Sequence, residues 1–218
     1  MTVDAQPVEF PDPRDFGFTV VSEEEMTTEL AALVDQVRVL IDAVAHTEAG
    51  PVDLAEARAA VATATELISG VRRADAAMLR QTWPGGRVEY GTITNIVSGP
   101  TNPAAPPLEL EACDGGLHGS VTLNETYQGP PGLVHGGWIA AMLDQALGVA
   151  ASVAGAPGLT ANLDVNYREP TPLHAPLEIT ARVTGTERRK VFVAGEVRHN
   201  GKVTAEGTAI MVQLDLPA

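Results

Sequence analysis

The chain has 218 residues, 44% hydrophobic and 4% aromatic, with a formal net charge of −14; that length suits one domain of about 150 residues plus an appendage, with an aliphatic core. The acidic balance disfavours nucleic acid, whose phosphates need clustered Lys and Arg, and the single cysteine, Cys113, excludes an internal disulfide. No apolar run approaches the roughly 18 residues of a membrane span, and the first residues lack a basic stretch followed by an apolar one, so a cytoplasmic location is expected.

The charge is uneven. Residues 1–70 hold 14 of the 28 acids against Arg14, Arg38 and Arg58, a net of −11, which marks two differently specialised regions. Pro7, Pro11 and Pro13 without periodicity predict a flexible leader over residues 1–21. Ser22 followed by Glu23, Glu24 and Glu25 has the form of a helix N-cap with acids in the first turn. Leu30, Leu33, Val34, Val37, Leu40 and Ile41 then recur at helical spacing. Gly50-Pro51 breaks this helix, and Asp53 is placed to cap a second one over residues 54–68. The pair predicts an antiparallel helical hairpin inside an acidic extension, residues 22–84. Residues 85–106, rich in Gly, Pro, Asn and Ser, predict a connector with one β-like run over 87–97.

Strand patterning begins in the region 107–218. Segments 108–113 and 117–123 alternate about the turn Asp114-Gly115-Gly116, and a helix-forming run covers 138–154. Four strand-like segments follow, over 160–168, 177–184, 190–198 and 202–213, separated by Pro170-Thr171-Pro172, Gly185-Thr186 and Asn200-Gly201. Two strands, one helix and four strands predict an α+β domain whose antiparallel sheet wraps a single long helix.

That helix carries the candidate chemistry. Trp138, Ile139, Met142, Leu143, Leu147 and Ala150 suit burial, whereas Gly137, Ala141, Asp144, Gly148 and Ala151 form a second, small-residue face holding one acid. A carboxylate there costs several kcal/mol to bury unless it is partnered or acts on something. Gly129-Pro130-Pro131-Gly132 stiffens the preceding loop, and Gly136-Gly137 leaves bare N–H groups at the positive end of the helix dipole. Such donors stabilise an oxyanion, an effect of about 3–4 kcal/mol per donor. Gly137 and Asp144, seven residues apart, are separated by roughly 10 Å along a helix, too far to act on one carbonyl. Two helices paired about a twofold axis would bring the acid of one to the N-terminus of the other.

The segments YQGPPGLVHGGWIAAMLDQALG and GLTANLDVNYREPTPL resemble the hot-dog-fold acyl-CoA thioesterases. The likeness is to the phenylacetyl-CoA-type (PaaI-like) thioesterases and the branch near human thioesterase superfamily members four and five. It covers residues 107–213 and rests on HGG, an Asp nine residues after the His, and the TANL strand occurring in order. The resemblance implies Asp144 as general base or nucleophile, Gly137 with help from Gly136 as oxyanion donor, and Thr160 as the hydroxyl that orients water. His135 either orients the carbonyl or holds the loop. Many phenylacetyl-CoA-type relatives carry Asn six residues before the His, where this chain has Gly129. The resemblance also puts Arg168 near the thioester end.

Asn162 and Tyr167 alternate with core positions and are candidates to line the acyl pocket. Arg182, Arg188, Arg189, Lys190, Arg198 and Lys202 fall within 21 positions, a candidate site for coenzyme A phosphates or a charged hairpin that blunts a sheet edge. His46, His118, His174 and His199 lie outside any motif and are expected at the surface; no metal site is predicted. No cofactor is implied beyond coenzyme A carried by the substrate, and the absence of G-x-S-x-G disfavours a Ser-His-Asp hydrolase. The expected function is hydrolysis of acyl-CoA by a homodimer or larger assembly, with no nucleic-acid or membrane-spanning role. A non-catalytic acyl-CoA or lipid-binding protein, or an enoyl-CoA hydratase or dehydratase, are the alternatives.

Overall fold

Apolar alternation over the second half of the chain forms six strands, and the helical repeat between them forms one helix that the sheet covers. The structure is a computed structural model, and it describes residues 12–73, 77–82, 88–113 and 115–213. Residues 1–11 of the expected leader, Arg87 at the start of the β-like run and Asp114 of the first turn lie outside the described residues.

The first described elements are a 3-10 turn, Pro13–Phe16, and a short strand β1, Val20–Val21. Ser22 does not cap a long helix: it closes a capping box over a 3-10 turn, Glu23–Glu25. The helix α1, Thr28–His46, starts afterwards with Thr27 as its cap, the Thr27 Oγ1 accepting from Leu30 N at 3.2 Å. Helix α2, Pro51–Ser69, begins with Gly50 at the N-cap and Pro51 at the first helical position, so Asp53 lies in the first turn and is not the cap. Every residue of α2 is exposed, so its apolar positions cover no other part of the described chain. Helix α1 turns Val34 inward and leaves Leu33, Val39 and Val44 exposed.

Two further strands, β2, Met78–Thr82, and β3, Val88–Thr92, pair antiparallel, and β1 adds to β2 in parallel. This three-stranded sheet has its own small core of Val21, Ala77, Leu79 and Ile93. The sequence reading had no second sheet. β1 is only two residues long and its partner stands 58 positions later, so no local alternation announces it.

The main sheet comprises β4, Glu109–Cys113; β5, Gly116–Thr122; β6, Leu159–Tyr167; β7, Pro176–Glu187; β8, Lys190–His199; and β9, Lys202–Val212. All neighbours are antiparallel, in the order β4-β5-β7-β8-β9-β6. Between β5 and β6 the chain forms α3, Gly136–Val153. Its inward face buries Ile139, Met142, Leu143, Ala146, Leu147, Ala150 and Ala151 against Leu117, Val121, Leu177, Ile179, Val191, Val193, Val197 and Met211. Each large side chain so buried contributes about 1.5–3 kcal/mol. Two expectations shift: Ala151 belongs to this core, not to the small-residue face, and Trp138 is only partly buried, set edge-on to Tyr127 with centroids 5.1 Å apart.

The Asn200-Gly201 hairpin forms as expected, with both residues at positive φ (50° and 76°), the combination a type I′ turn requires. Gly185-Thr186 is not a turn. A bulge sits there, β7 continues to Glu187, and the reversal falls on Arg188-Arg189, with Arg188 at φ 53°.

Candidate active site

The loop that delivers His135 to the start of α3 is pinned on both sides. Leu133 N–H closes a turn onto Pro130 O, Gly129 N–H donates to Leu133 O, and His135 N–H donates to Tyr127 O, each at 2.9 Å. Val134 N–H reaches Thr171 O across the gap to the segment after β6. Gly129 is there because nothing larger fits: an added Cβ would lie 2.8 Å from His135 Cα.

His135 caps the helix. Its Nδ1 accepts from Gly137 N–H at 2.9 Å, so the donor that the sequence reading put first for an oxyanion is already engaged. Gly136 N–H has no acceptor among the described residues. Tyr167 Oη donates to Gly136 O at 2.8 Å and closes one side of this helix end. A cleft of about 400 Å³ opens here, lined by Gly136, Ile139, Tyr167, Arg168 and Pro170. Arg168 stands beside the helix end; its guanidinium pairs with Glu206 on β9, which raises its already high pKa and keeps it charged.

Asp144 lies two turns along α3. Thr160 Oγ1 on β6 donates to Asp144 Oδ1 at 2.8 Å, and no basic side chain pairs with that carboxylate among the described residues. The acid, Gly148 and Thr160 line a second groove of about 400 Å³, whose opposite wall is the small sheet with Leu79, Gln81 and Tyr90. Contributions from β2 and β3 to this groove were invisible in the sequence, because they depend on how the extension folds back. Asn162 is exposed on β6, beyond a register shift that follows Thr160.

The six basic residues do not form one patch. Hairpin geometry sends Arg188, Arg189 and Lys190 to one end of β7 and β8 and Arg198 and Lys202 to the other, about 30 Å away for a ten-residue strand. Arg198 bonds Glu196 and Gly201 O, Lys202 faces Glu169, and Arg182 lies midway along the sheet. The turn at 188–190 is the part near the groove: Lys190 is in register with Val212, which is in register with Leu159, next to Thr160. Two strand spacings make this about 10 Å.

Helix and sheet in this arrangement have close counterparts. A family model described as thioesterase superfamily matches residues 131–206. The crystal structure of a thioesterase superfamily protein superposes with a TM-score of 0.76 at 35% identity, over 84% of this chain and 90% of that one. The chain belongs to the thioesterase superfamily. Among curated relatives, bovine acyl-coenzyme A thioesterase THEM4 is 40% identical over 90 residues, 40% of this chain and 37% of that protein. Human acyl-coenzyme A thioesterase THEM5 is 28% identical over 91 residues, 41% of this chain and 37% of that protein. The chain therefore spans about two fifths of the length of these curated relatives. As a member of the superfamily it has the hot-dog fold that the motif implied, and among its described helices none is long and apolar enough to cross a membrane.

Proposed function

We propose that the chain hydrolyses acyl-CoA thioesters at composite sites formed by two copies. The observation that carries this reading is the separation of its two chemical parts: Gly136 and Asp144 open into different clefts of the same chain. Eight helical residues put them about 12 Å apart, so neither cleft alone holds both Gly136 and Asp144; the one carboxylate lining the Gly136 cleft, Glu169, lies in the segment after β6 and faces Lys202. A twofold pairing of α3 with its counterpart supplies the missing half to each. The exposed edge of β6, which no strand covers among the described residues and which carries Thr160, is the place we assign to that pairing; the other uncovered edge, β4, lies at the far side of the sheet.

Within such a site Gly136 N–H receives the thioester carbonyl oxygen, since Gly137 N–H is held by His135. This moves the oxyanion donor one residue from the Gly137 of the sequence reading. Asp144 acts on the carbonyl carbon, either by drawing a proton from water as that water adds, or by adding itself; Thr160 fixes one carboxylate oxygen and leaves the other to act. Collapse of the tetrahedral intermediate expels the coenzyme A thiolate, which takes up the proton drawn from water; where Asp144 adds itself, collapse leaves a mixed anhydride that water then cleaves, restoring the carboxylate, releasing the free acid and supplying the thiolate's proton. The Arg188-Arg189-Lys190 turn, at the Thr160 end of the sheet, is placed to hold the phosphates of coenzyme A. Coenzyme A enters as part of the substrate, and the chemistry calls on no further cofactor.

The test is a hydrolysis screen over acyl-CoAs of graded length, including aromatic acyl groups, with Asp144→Asn beside the parent. The parent is expected to release free thiol, and the variant to lose at least about 100-fold in kcat. Undiminished turnover by Asp144→Asn would overturn the assignment, and acyl-CoA binding without any thiol release by the parent would make this a binding protein.

A further inference from the structure

We propose that Asp42, His46 and Glu125 form a binding site for a divalent transition metal such as Zn2+, which ties the N-terminal helix to the catalytic domain. Asp42 and His46 are four residues apart on α1 and so share a face. Glu125 begins a 3-10 turn, Glu125–Tyr127, just after β5. One ligand atom from each of the three lies within 4.8 Å of the others.

The protons decide what sits between them. His46 Nδ1 is 2.8 Å from Asp42 O, and a carbonyl only accepts, so Nδ1 carries the hydrogen. In the neutral ring Nε2 therefore presents a lone pair, and it faces Glu125 Oε2 at 3.6 Å. At that distance the two atoms make no hydrogen bond with each other. The spacing is close to the edge of about 3.4 Å expected of a tetrahedron with metal–ligand bonds near 2.0–2.1 Å.

Each ligand is also held from behind, as ligands to metals usually are. His46 Nδ1 donates to a backbone carbonyl, Asn124 Nδ2 donates to Asp42 Oδ1 at 2.8 Å, and His174 Nε2 donates to Glu125 Oε1 at 2.7 Å. One imidazole with two carboxylates suits Zn2+ and its transition-metal neighbours better than Mg2+ or Ca2+, which favour all-oxygen shells. Three protein ligands leave a fourth position for water, and the neighbouring cavity of about 430 Å³, lined by Asp42 and His174, has room for it. No spacing motif reveals this site, because His46 and Glu125 stand 79 positions apart.

Calorimetric titration of the untagged, chelator-stripped full chain with ZnCl2 tests the proposal. One Zn2+ per chain is expected, with affinity reduced at least about tenfold by His46→Ala and by Glu125→Gln. His174→Asn, which removes only an outer partner, is expected to weaken binding about 10–100-fold. Circular dichroism checks that each variant is folded. Absence of saturable binding, equal affinity in His46→Ala and the parent, or binding of MgCl2 as tight as ZnCl2 would overturn it.

Discussion

Asp144 and Thr160 stand 16 residues apart in sequence and 2.8 Å apart in space. Asp144 stood out as an acid on a small-residue helix face, whereas Thr160 was singled out only through the resemblance to a known family; the hydrogen bond between them is a tertiary outcome. Gly137 was the expected oxyanion donor; its N–H is engaged by His135, and the proposal uses Gly136 in its place. Which of Gly136 and Gly137 is available depends on where the His135 ring turns, and no sequence pattern specifies a rotamer. Nearby, Tyr127 shows how burial tunes a group: it is 5% exposed, and removal from water pushes its phenol above the ordinary value of 10.0, with Arg38 opposing weakly. A phenol whose pKa is raised by folding contributes stability that is intact below pH 10 and is lost as pH rises through its folded value. Tyr127→Phe should therefore reduce the fall in melting temperature between pH 9 and 11 relative to the parent; identical alkaline profiles would count against a buried, neutral phenol.

Elements were recovered where their pattern was local and lost where it was not. The six strands of the main sheet follow from alternation, and the Asn200-Gly201 turn from two residues that tolerate positive φ. Gly185 misled because a glycine marks a bulge as readily as a turn. The small-residue face of α3 was drawn one residue too wide: Ala151 points inward with Ala150 and Leu147, which periodicity alone does not resolve at a helix end. The helix itself should be unforgiving of truncation. Leu147 is fully buried, so Leu147→Ala is expected to lose about 2–5 kcal/mol in denaturant unfolding; a loss below about 1 kcal/mol would show that the core there is not packed as described. At the loop, Gly129→Ala forces a Cβ to 2.8 Å from His135 Cα, which is backbone and does not yield cheaply. About 1–3 kcal/mol of destabilisation is expected, with kcat falling through displacement of the His135 cap. Parent-like stability and turnover would mean the loop is slack.

For the whole molecule, the acidic first third is the part whose sequence said least about its role. Its charge and helical repeats were plain, but not that α1 would dock through Val34 and Asp42, that α2 would be exposed along its length, or that β1, β2 and β3 would build a sheet facing the Asp144 groove. All three are tertiary outcomes. The proposed dimer, in contrast, rests on arithmetic on one helix. Gly136 begins α3, where proline is tolerated, and His135 already has the extended backbone (φ −64°, ψ 132°) that a following proline demands. Gly136→Pro therefore deletes the proposed oxyanion donor at a position that keeps the helix start, while its Cβ, 3.2 Å from the Tyr167 ring, requires that side chain to give by a few tenths of an ångström. Mixing this inactive variant with inactive Asp144→Asn and allowing subunits to exchange gives the most direct test. A composite site predicts recovery of about one quarter of parental activity, because half the dimers are mixed and each has one intact site. No recovery despite demonstrated subunit exchange would contradict a site shared between two chains.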